Sequence, residues 1–405
     1  MDLLKIALGI VTSIAGFLDA GSIATAAQAG ASYRYGLIWA IGLGTLTVVF
    51  LCEMTGRLAS VSRHTLADAI RERMGFPYFA MPLVAETIVD WLVLAAEIGG
   101  VASALQLVTG ISYQIWAIPV AFVLWLVLWL GTFGLIENGV AALGAITLVF
   151  AVGALKVWPG IQHIANNLVP AASEAKEPAY WFTAVSIIGS LMSPYLLNFY
   201  SAGAVEEKWS AKDVPTNRVV AGLGMSFGST LALGLLILCA VVIAPQGIKV
   251  ESYEDVAKAF TVPFGSWGVP LFAGALGVAA FGAGLEVALN LSYVWAQGLG
   301  WNWSENLRPS QDARFSLVYT FAILASTPII VIGFDPLKVT NMSMAFNALI
   351  SPLIVFPLLF LMNDDAYLKK YRNGRLTNIV TLILIVIAFT LAIVAIPLQI
   401  FGGGG

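Results

Sequence analysis

Histidine and cysteine are nearly missing from this chain of 405 residues. The two histidines, His64 and His163, stand in separate polar stretches, so no histidine-based zinc site or proton relay can be assembled, and each reads as a solvated loop residue. The two cysteines, Cys52 and Cys239, lie inside apolar runs. That placement excludes a disulfide framework and a thiolate metal site and makes them small core residues. Charge is scarce as well, at 11% of residues, with 20 Lys and Arg against 23 Asp and Glu. The basic residues are scattered between apolar runs instead of forming a stripe, so nucleic acid is not an expected partner. No spaced nucleophile and base and no His/Cys ligand pattern points to an enzyme. No cleavable leader is expected either: the first apolar run continues into a broken segment without a small-residue cleavage site, and is expected to stay in the mature protein.

What the chain has in excess is apolar surface, with 59% hydrophobic residues and a mean hydropathy of +0.88. This is the composition of an all-α polytopic membrane protein. Spanning a bilayer takes about 20 apolar residues per helix, and segmentation at charged, Pro-rich and Asn-rich stretches predicts eleven transmembrane helices. They fall near residues 8 to 32, 36 to 60, 80 to 109, 115 to 135, 138 to 156, 180 to 204, 216 to 244, 267 to 294, 313 to 333, 340 to 361 and 376 to 400. With the N-terminus inside, 14 of the 20 basic residues fall on inner loops and 6 on outer ones, which favours a cytoplasmic N-terminus and an extracytoplasmic C-terminus. The long connections near 157 to 179 and 245 to 266 are expected to carry short helices and no chemistry. Thr65 to Arg73 reads as an inner amphipathic turn.

Two spans are interrupted by polar or helix-breaking residues. The first reads Gly16-Phe17-Leu18-Asp19-Ala20-Gly21-Ser22, a carboxylate and a flexible kink inside an apolar run. In hydrocarbon, freed backbone groups are tolerated only where they line a cavity or bind something, and an ionisable residue there is a functional candidate. The other is the sixth, Gly189-Ser190-Leu191-Met192-Ser193-Pro194-Tyr195, where proline removes a backbone donor and frees carbonyls near Ser190 and Ser193. Asp19 and Ser193 lie 193 − 19 = 174 residues, or five helices, apart. That offset is the mark of a 5+5 inverted repeat whose broken helices 1 and 6 face each other at the midplane. The whole chain, 1–405, is then one transporter domain, with repeat one at about 8–156, repeat two at about 180–361 and an extra helix at about 376–400.

The stretch from Asp19 to Trp39, with Ala24-Thr25 and Gln28-Ala29-Gly30-Ala31, resembles the first helix of the natural resistance-associated macrophage protein (NRAMP) family of divalent metal transporters, whose motif is Asp-Pro-Gly-Asn followed by Ala-Thr and Gln-Ala-Gly-Ala. Arg57-Leu58, Leu66-Ala67-Asp68 and Arg71-Glu72-Arg73 are similar to its second helix and loop, and Ala96-Glu97 to its third. The resemblance implies a LeuT-like fold, also named for the amino acid-polyamine-organocation transporters. Departures from the pattern are as informative. Anchored on Pro194, the family's Met-Pro-His becomes Ser193-Pro194-Tyr195, and its second histidine is Tyr200. Leu94 stands at the proton-accepting aspartate, Ser22 at the helix 1 asparagine and Met344 at the helix 10 glutamine. The set resembles the NRAMP-related magnesium transporter branch.

Around an ion between the breaks, the expected donors are the Asp19 carboxylate, the Ser22 and Ser193 hydroxyls, and backbone carbonyls near Ala20 and Ser190. A thioether selects softer ions such as Mn²⁺ or Fe²⁺, whereas this oxygen set suits a hard cation that keeps several waters. A register slip of one residue would restore a thioether through Met192. Tyr195, Tyr200, Glu53, Glu97 and Asn347 are expected in a second layer or along the pathway, and Glu53 and Glu286 have no role beyond lining an aqueous path. The expected activity is uncoupled uptake of Mg²⁺, with Mn²⁺ also carried. The alternatives are a proton-coupled Mn²⁺/Fe²⁺ symporter using Glu97, and an organic-solute symporter on the same scaffold. No resident cofactor is expected. The partners are the transported ion and the lipid bilayer, and the setting is a monomer in a cell inner or plasma membrane.

Overall fold

The computed structural model describes residues 18–130, 144–166, 176–304 and 306–401, and the described chain is built from helices. The first half holds α1 (Ala20–Tyr33), α2 (Ile38–Ser62), α3 (Leu66–Met74), α4 (Phe76–Thr109), α5 (Tyr113–Leu130), α6 (Leu148–Lys156) and α7 (Ile161–Ala165). The second half holds α8 (Pro178–Leu191), α9 (Pro194–Glu206), α10 (Val214–Val242), α11 (Tyr253–Phe264) and α12 (Gly268–Leu299). It continues through α13 (Ala313–Val331), α14 (Pro336–Ile350), α15 (Pro352–Leu361), α16 (Asp365–Leu368) and α17 (Arg375–Phe401).

Nine helical stretches among the described residues are long and apolar enough to cross a membrane. They correspond to nine of the eleven expected spans. The other two are the first and fifth, which are described only in part: α1 starts at Ala20, and the start of the fifth lies outside the described residues. Local chemistry sets most helix starts. Asp19 caps α1, Thr65 caps α3, and Asp335 caps α14 ahead of Pro336, each side chain accepting from a backbone N–H of the first turn. Proline sets the break in the sixth span. Ser193, at φ −59° and ψ 132°, is held out of the helical region by the Pro194 ring, so α8 ends at Leu191 and α9 begins afresh at Pro194.

The amphipathic turn expected at Thr65 to Arg73 is a nine-residue helix, α3. Both long connections carry short helices, α7 in one and α11 in the other. Around the breaks, α10 packs on α1 and α2, α12 lies along α4, and α8 lies against α14. A Cβ at Gly189 would collide with the Met344 carbonyl, so this glycine lets α8 and α14 touch backbone to backbone. The extra helix, α17, covers α8 and α14 from outside. Polarity is distributed as a bilayer demands: Leu382, Ile383 and Phe321 are exposed, while Glu86, Asp90, Glu97 and Asn290 are buried.

Candidate metal site between the two helix breaks

Asp19 is the first fixed point. Its backbone is extended, and its Oδ1 accepts the Ser22 N–H at 2.6 Å, so the carboxylate covers the positive end of α1. The side chain is 1% exposed. Glu97, from the middle of α4, reaches the same helix start, where its Oε2 accepts the Ala20 N–H at 3.1 Å and its Oε1 has no partner. Two carboxylates therefore converge on one helix N-terminus. The Ala20 carbonyl, on the other side, accepts from the Tyr253 hydroxyl of α11 at 3.3 Å, and that hydroxyl also lies 3.3 Å from Thr340 Oγ1 of α14.

The sixth span supplies the opposite wall. Tyr195, in the first turn of α9, donates its hydroxyl to Asp19 Oδ2 at 3.3 Å and so joins the two breaks. Ser190 Oγ lies 3.5 Å from Thr25 Oγ1 of α1 and donates to the Ile187 carbonyl. Ser193 Oγ donates to the Gly189 carbonyl at 3.1 Å and accepts the Asn347 amide N–H at 3.0 Å. Asn347 Oδ1 has no partner. Met344, one turn earlier on α14, brings a thioether to the same place: a Cβ at Gly21 would lie 2.5 Å from its Sδ, and Asn347 Nδ2 is 3.7 Å from that sulfur.

The structure thus brings Asp19, Ala20, Ser22, Ser190, Ser193, Tyr195, Glu97 and Asn347 to one buried place between α1, α4, α8, α9 and α14. Tyr200 and Glu53 lie elsewhere. The Tyr200 hydroxyl donates to Asn217, whose own amide donates to the Glu53 carbonyl. The Glu53 carboxylate pairs with Arg57 at 2.9 Å and Arg218 at 3.3 Å, and Arg57 also donates to Asn373 and to the Tyr371 carbonyl. This clamp ties α2 to α10 and to the segment after α16, away from the breaks. Met192 closes the last turn of α8 through its N–H to the Ile188 carbonyl, so Ser193 remains the side chain tied to Asn347.

One contributor escapes a reading of the sequence. Tyr253 sits in a connection expected to carry no chemistry, and its reach to Ala20 corrects that expectation. The Ser252–Asp255 capping box marks the start of its helix, but nothing local says which way the ring points. Met344, already placed at the helix 10 glutamine by the resemblance, finds room for its sulfur only because Gly21 lacks a Cβ. Among the described residues no group of three or more His, Cys, Asp or Glu is placed to hold a metal. The donors here are instead two carboxylates, hydroxyls, carbonyls, an amide and one thioether.

The chain is similar to known proteins over most of its length. The divalent metal cation transporter MntH of Staphylococcus saprophyticus is 24% identical over 404 residues, covering 94% of this chain and 88% of the relative. The manganese transporter of Eremococcus coleocola, crystallised with an aromatic bis-isothiourea substituted compound, has the same fold at TM-score 0.80 and 20% identity, covering 98% of this chain and 87% of that one. MhsT in complex with L-phenylalanine matches at TM-score 0.61 and 16% identity, over 96% of this chain and 97% of that one. Both likenesses speak for the LeuT-like fold expected from a pair of broken helices. A family model, natural resistance-associated macrophage protein-like, matches residues 9–397, and the chain belongs to that family.

Proposed function

We infer that this chain carries divalent metal cations across a membrane by alternating access, with Mg²⁺ the leading substrate, Mn²⁺ also carried, and no proton coupled to the movement. Its family and its relatives support metal transport and not an enzymatic reaction. The single observation that carries the reading is the Asp19 carboxylate, fixed at the start of α1 and reached from the second break by Tyr195. A strong negative charge at the meeting point of two interrupted helices is where a carrier on this scaffold holds an ion. Hydroxyls and carbonyls around it, from Ser22, Ser190, Ser193 and Ala20, are hard donors that suit Mg²⁺ with part of its water shell. The same carboxylate disfavours an organic solute that presents its own carboxylate.

Absence of coupling rests on the donors as well. Both histidine positions of the family hold tyrosine, Tyr195 and Tyr200, and Leu94 replaces the acid on α4. A membrane potential supplies about 2.3 kcal/mol per charge per 100 mV, hence about 4.6 kcal/mol for a divalent ion, without protons. The basic-residue asymmetry supports a cytoplasmic N-terminus, and bacterial relatives support a cell membrane. One chain provides both walls of the site, which supports a monomeric unit.

A second reading, proton-coupled Mn²⁺/Fe²⁺ symport, draws on the Met344 thioether beside Gly21 and on the unpartnered Oε1 of Glu97. Mn²⁺ uptake into proteoliposomes, with excess Mg²⁺ outside and a pH dye inside, separates the two. Inhibition by Mg²⁺ at steady internal pH supports uncoupled transport through a hard site. Mg²⁺-insensitive uptake accompanied by acidification supports the symporter.

A further inference from the structure

Glu86 and Asp90 lie one turn apart on α4 and are 1% and 0% exposed. Asn290 of α12 donates its Nδ2 to both carboxylates, to Glu86 Oε1 at 2.8 Å and to Asp90 Oδ2 at 3.0 Å. Asn198 of α9 donates its Nδ2 to both oxygens of Glu86, at 2.9 and 3.0 Å. No Lys, Arg or His among the described residues forms an ion pair with either acid. Among the described residues, two neutral amides are the side chains that hydrogen-bond to these two buried carboxylates.

Three oxygens of this cluster lack any partner: Oδ1 of Asp90, of Asn198 and of Asn290. The two asparagines, 3% and 0% exposed, reach the acids from separate helices. Burying two unbalanced charges side by side is costly unless a cation joins them. A half-turn of each amide about its last torsion puts Oδ1 where Nδ2 stands and turns the pair of donors into acceptors. The result is an all-oxygen cage with two negative charges, the charge and hardness that fit a divalent metal.

Its position in the fold gives it a place on a path. Glu86, Asp90 and Glu97 follow one another along one face of α4, and the seven residues from Asp90 to Glu97 rise about 10 Å. The cluster therefore lies two turns from the Asp19 break, toward the end of α4 where α3 packs across α4, α9 and α12. There Thr65 donates to Gln297 at 2.8 Å and the Leu66 N–H to Ser201 at 3.0 Å, so α3 is stitched to two of the helices that form the cluster.

We propose that Glu86, Asp90, Asn198 and Asn290 form a second divalent-cation site, which receives the ion from the Asp19 break before it leaves past α3. The proposal rests on the reading of the chain as a divalent-metal carrier, and binding stoichiometry tests the two independently. Purified full-length protein is equilibrated with Mn²⁺ and bound metal is counted for the wild type, Asp19→Asn, the double variant E86Q/D90N and all three substitutions together. The expected counts are two, one, one and none. E86Q/D90N removes charge without changing volume, so its melting temperature stays level or rises, and the Mn²⁺-induced rise in melting temperature seen in Asp19→Asn disappears in the triple variant. One equivalent in the wild type, or two retained by E86Q/D90N, overturns the second site and leaves the acids as holders of protons. An unchanged count in Asp19→Asn would sink the break site instead.

Discussion

Replacing Gly21 by alanine tests how α1 and α14 meet at the break. The added methyl would stand 2.5 Å from Met344 Sδ, 2.6 Å from its Cε and 2.9 Å from its Cγ, where ordinary contacts begin near 3.4 Å. About 1 Å of movement is needed. The α14 backbone cannot supply it, because the Met344 carbonyl already rests on Gly189. The thioether must swing away, at a cost of about 1–3 kcal/mol for overpacking, offset in part by about 0.5–1 kcal/mol from alanine's better helix propensity. Melting temperature of the purified protein in detergent reports the stability, and the half-saturating Mn²⁺ concentration for uptake reports the site. Gly21→Ala should melt lower and need more Mn²⁺. Met344→Ala alone leaves a cavity worth about 2–5 kcal/mol, into which the new methyl fits. In that background Gly21→Ala should be neutral or stabilising, a coupling of about 1–3 kcal/mol. If Gly21→Ala costs as much with Met344→Ala as without it, the sulfur is not against α1 and the packing described here is wrong.

Other substitutions probe the remaining contacts. Glu97→Gln keeps an acceptor for the Ala20 N–H and removes the charge, so the half-saturating Mn²⁺ concentration should rise about tenfold, or about 1.4 kcal/mol; an unchanged value would reduce Glu97 to a cap of α1. Tyr253→Phe deletes both 3.3 Å contacts to Ala20 and Thr340, and a stability loss of about 0.5–1.5 kcal/mol by melting temperature is expected, with none if the hydroxyl is idle. Arg57→Ala leaves the partly buried Glu53 carboxylate with Arg218 alone and should cost about 1.5–3 kcal/mol, while Arg57→Ala combined with Glu53→Gln should recover part of it; equal losses in the two variants would contradict the ion pair.

Much of this architecture was legible because membrane physics restricts the alternatives. Apolar runs of about 20 residues must be helices, and an Asp or a proline in the middle of one must be accommodated. Asp19 and Pro194 therefore announced both breaks, and their five-helix offset announced the repeat. What stayed hidden depends on which faces of distant helices meet. Asn347 was marked as polar, but its bond to Ser193 follows from the backbone contact that Gly189 permits. Tyr200 and Glu53 looked like pathway residues from their positions along the helices, yet Asn217 and Arg57 draw them into a structural clamp. Glu86 and Asp90 show in the sequence only as carboxylates within an apolar run, and it is α9 and α12 that bring Asn198 and Asn290 to them.

In the proposed mechanism one ion sits on Asp19 between the two breaks and crosses without a proton. Uptake of Mg²⁺ and Mn²⁺ into proteoliposomes, driven by an inside-negative potential and read together with internal pH, tests it for the wild type and Asp19→Asn. Uptake of both ions at constant pH by the wild type and none by Asp19→Asn is expected. Normal uptake by Asp19→Asn would contradict the site, and acidification in step with metal entry would contradict the uncoupled mechanism.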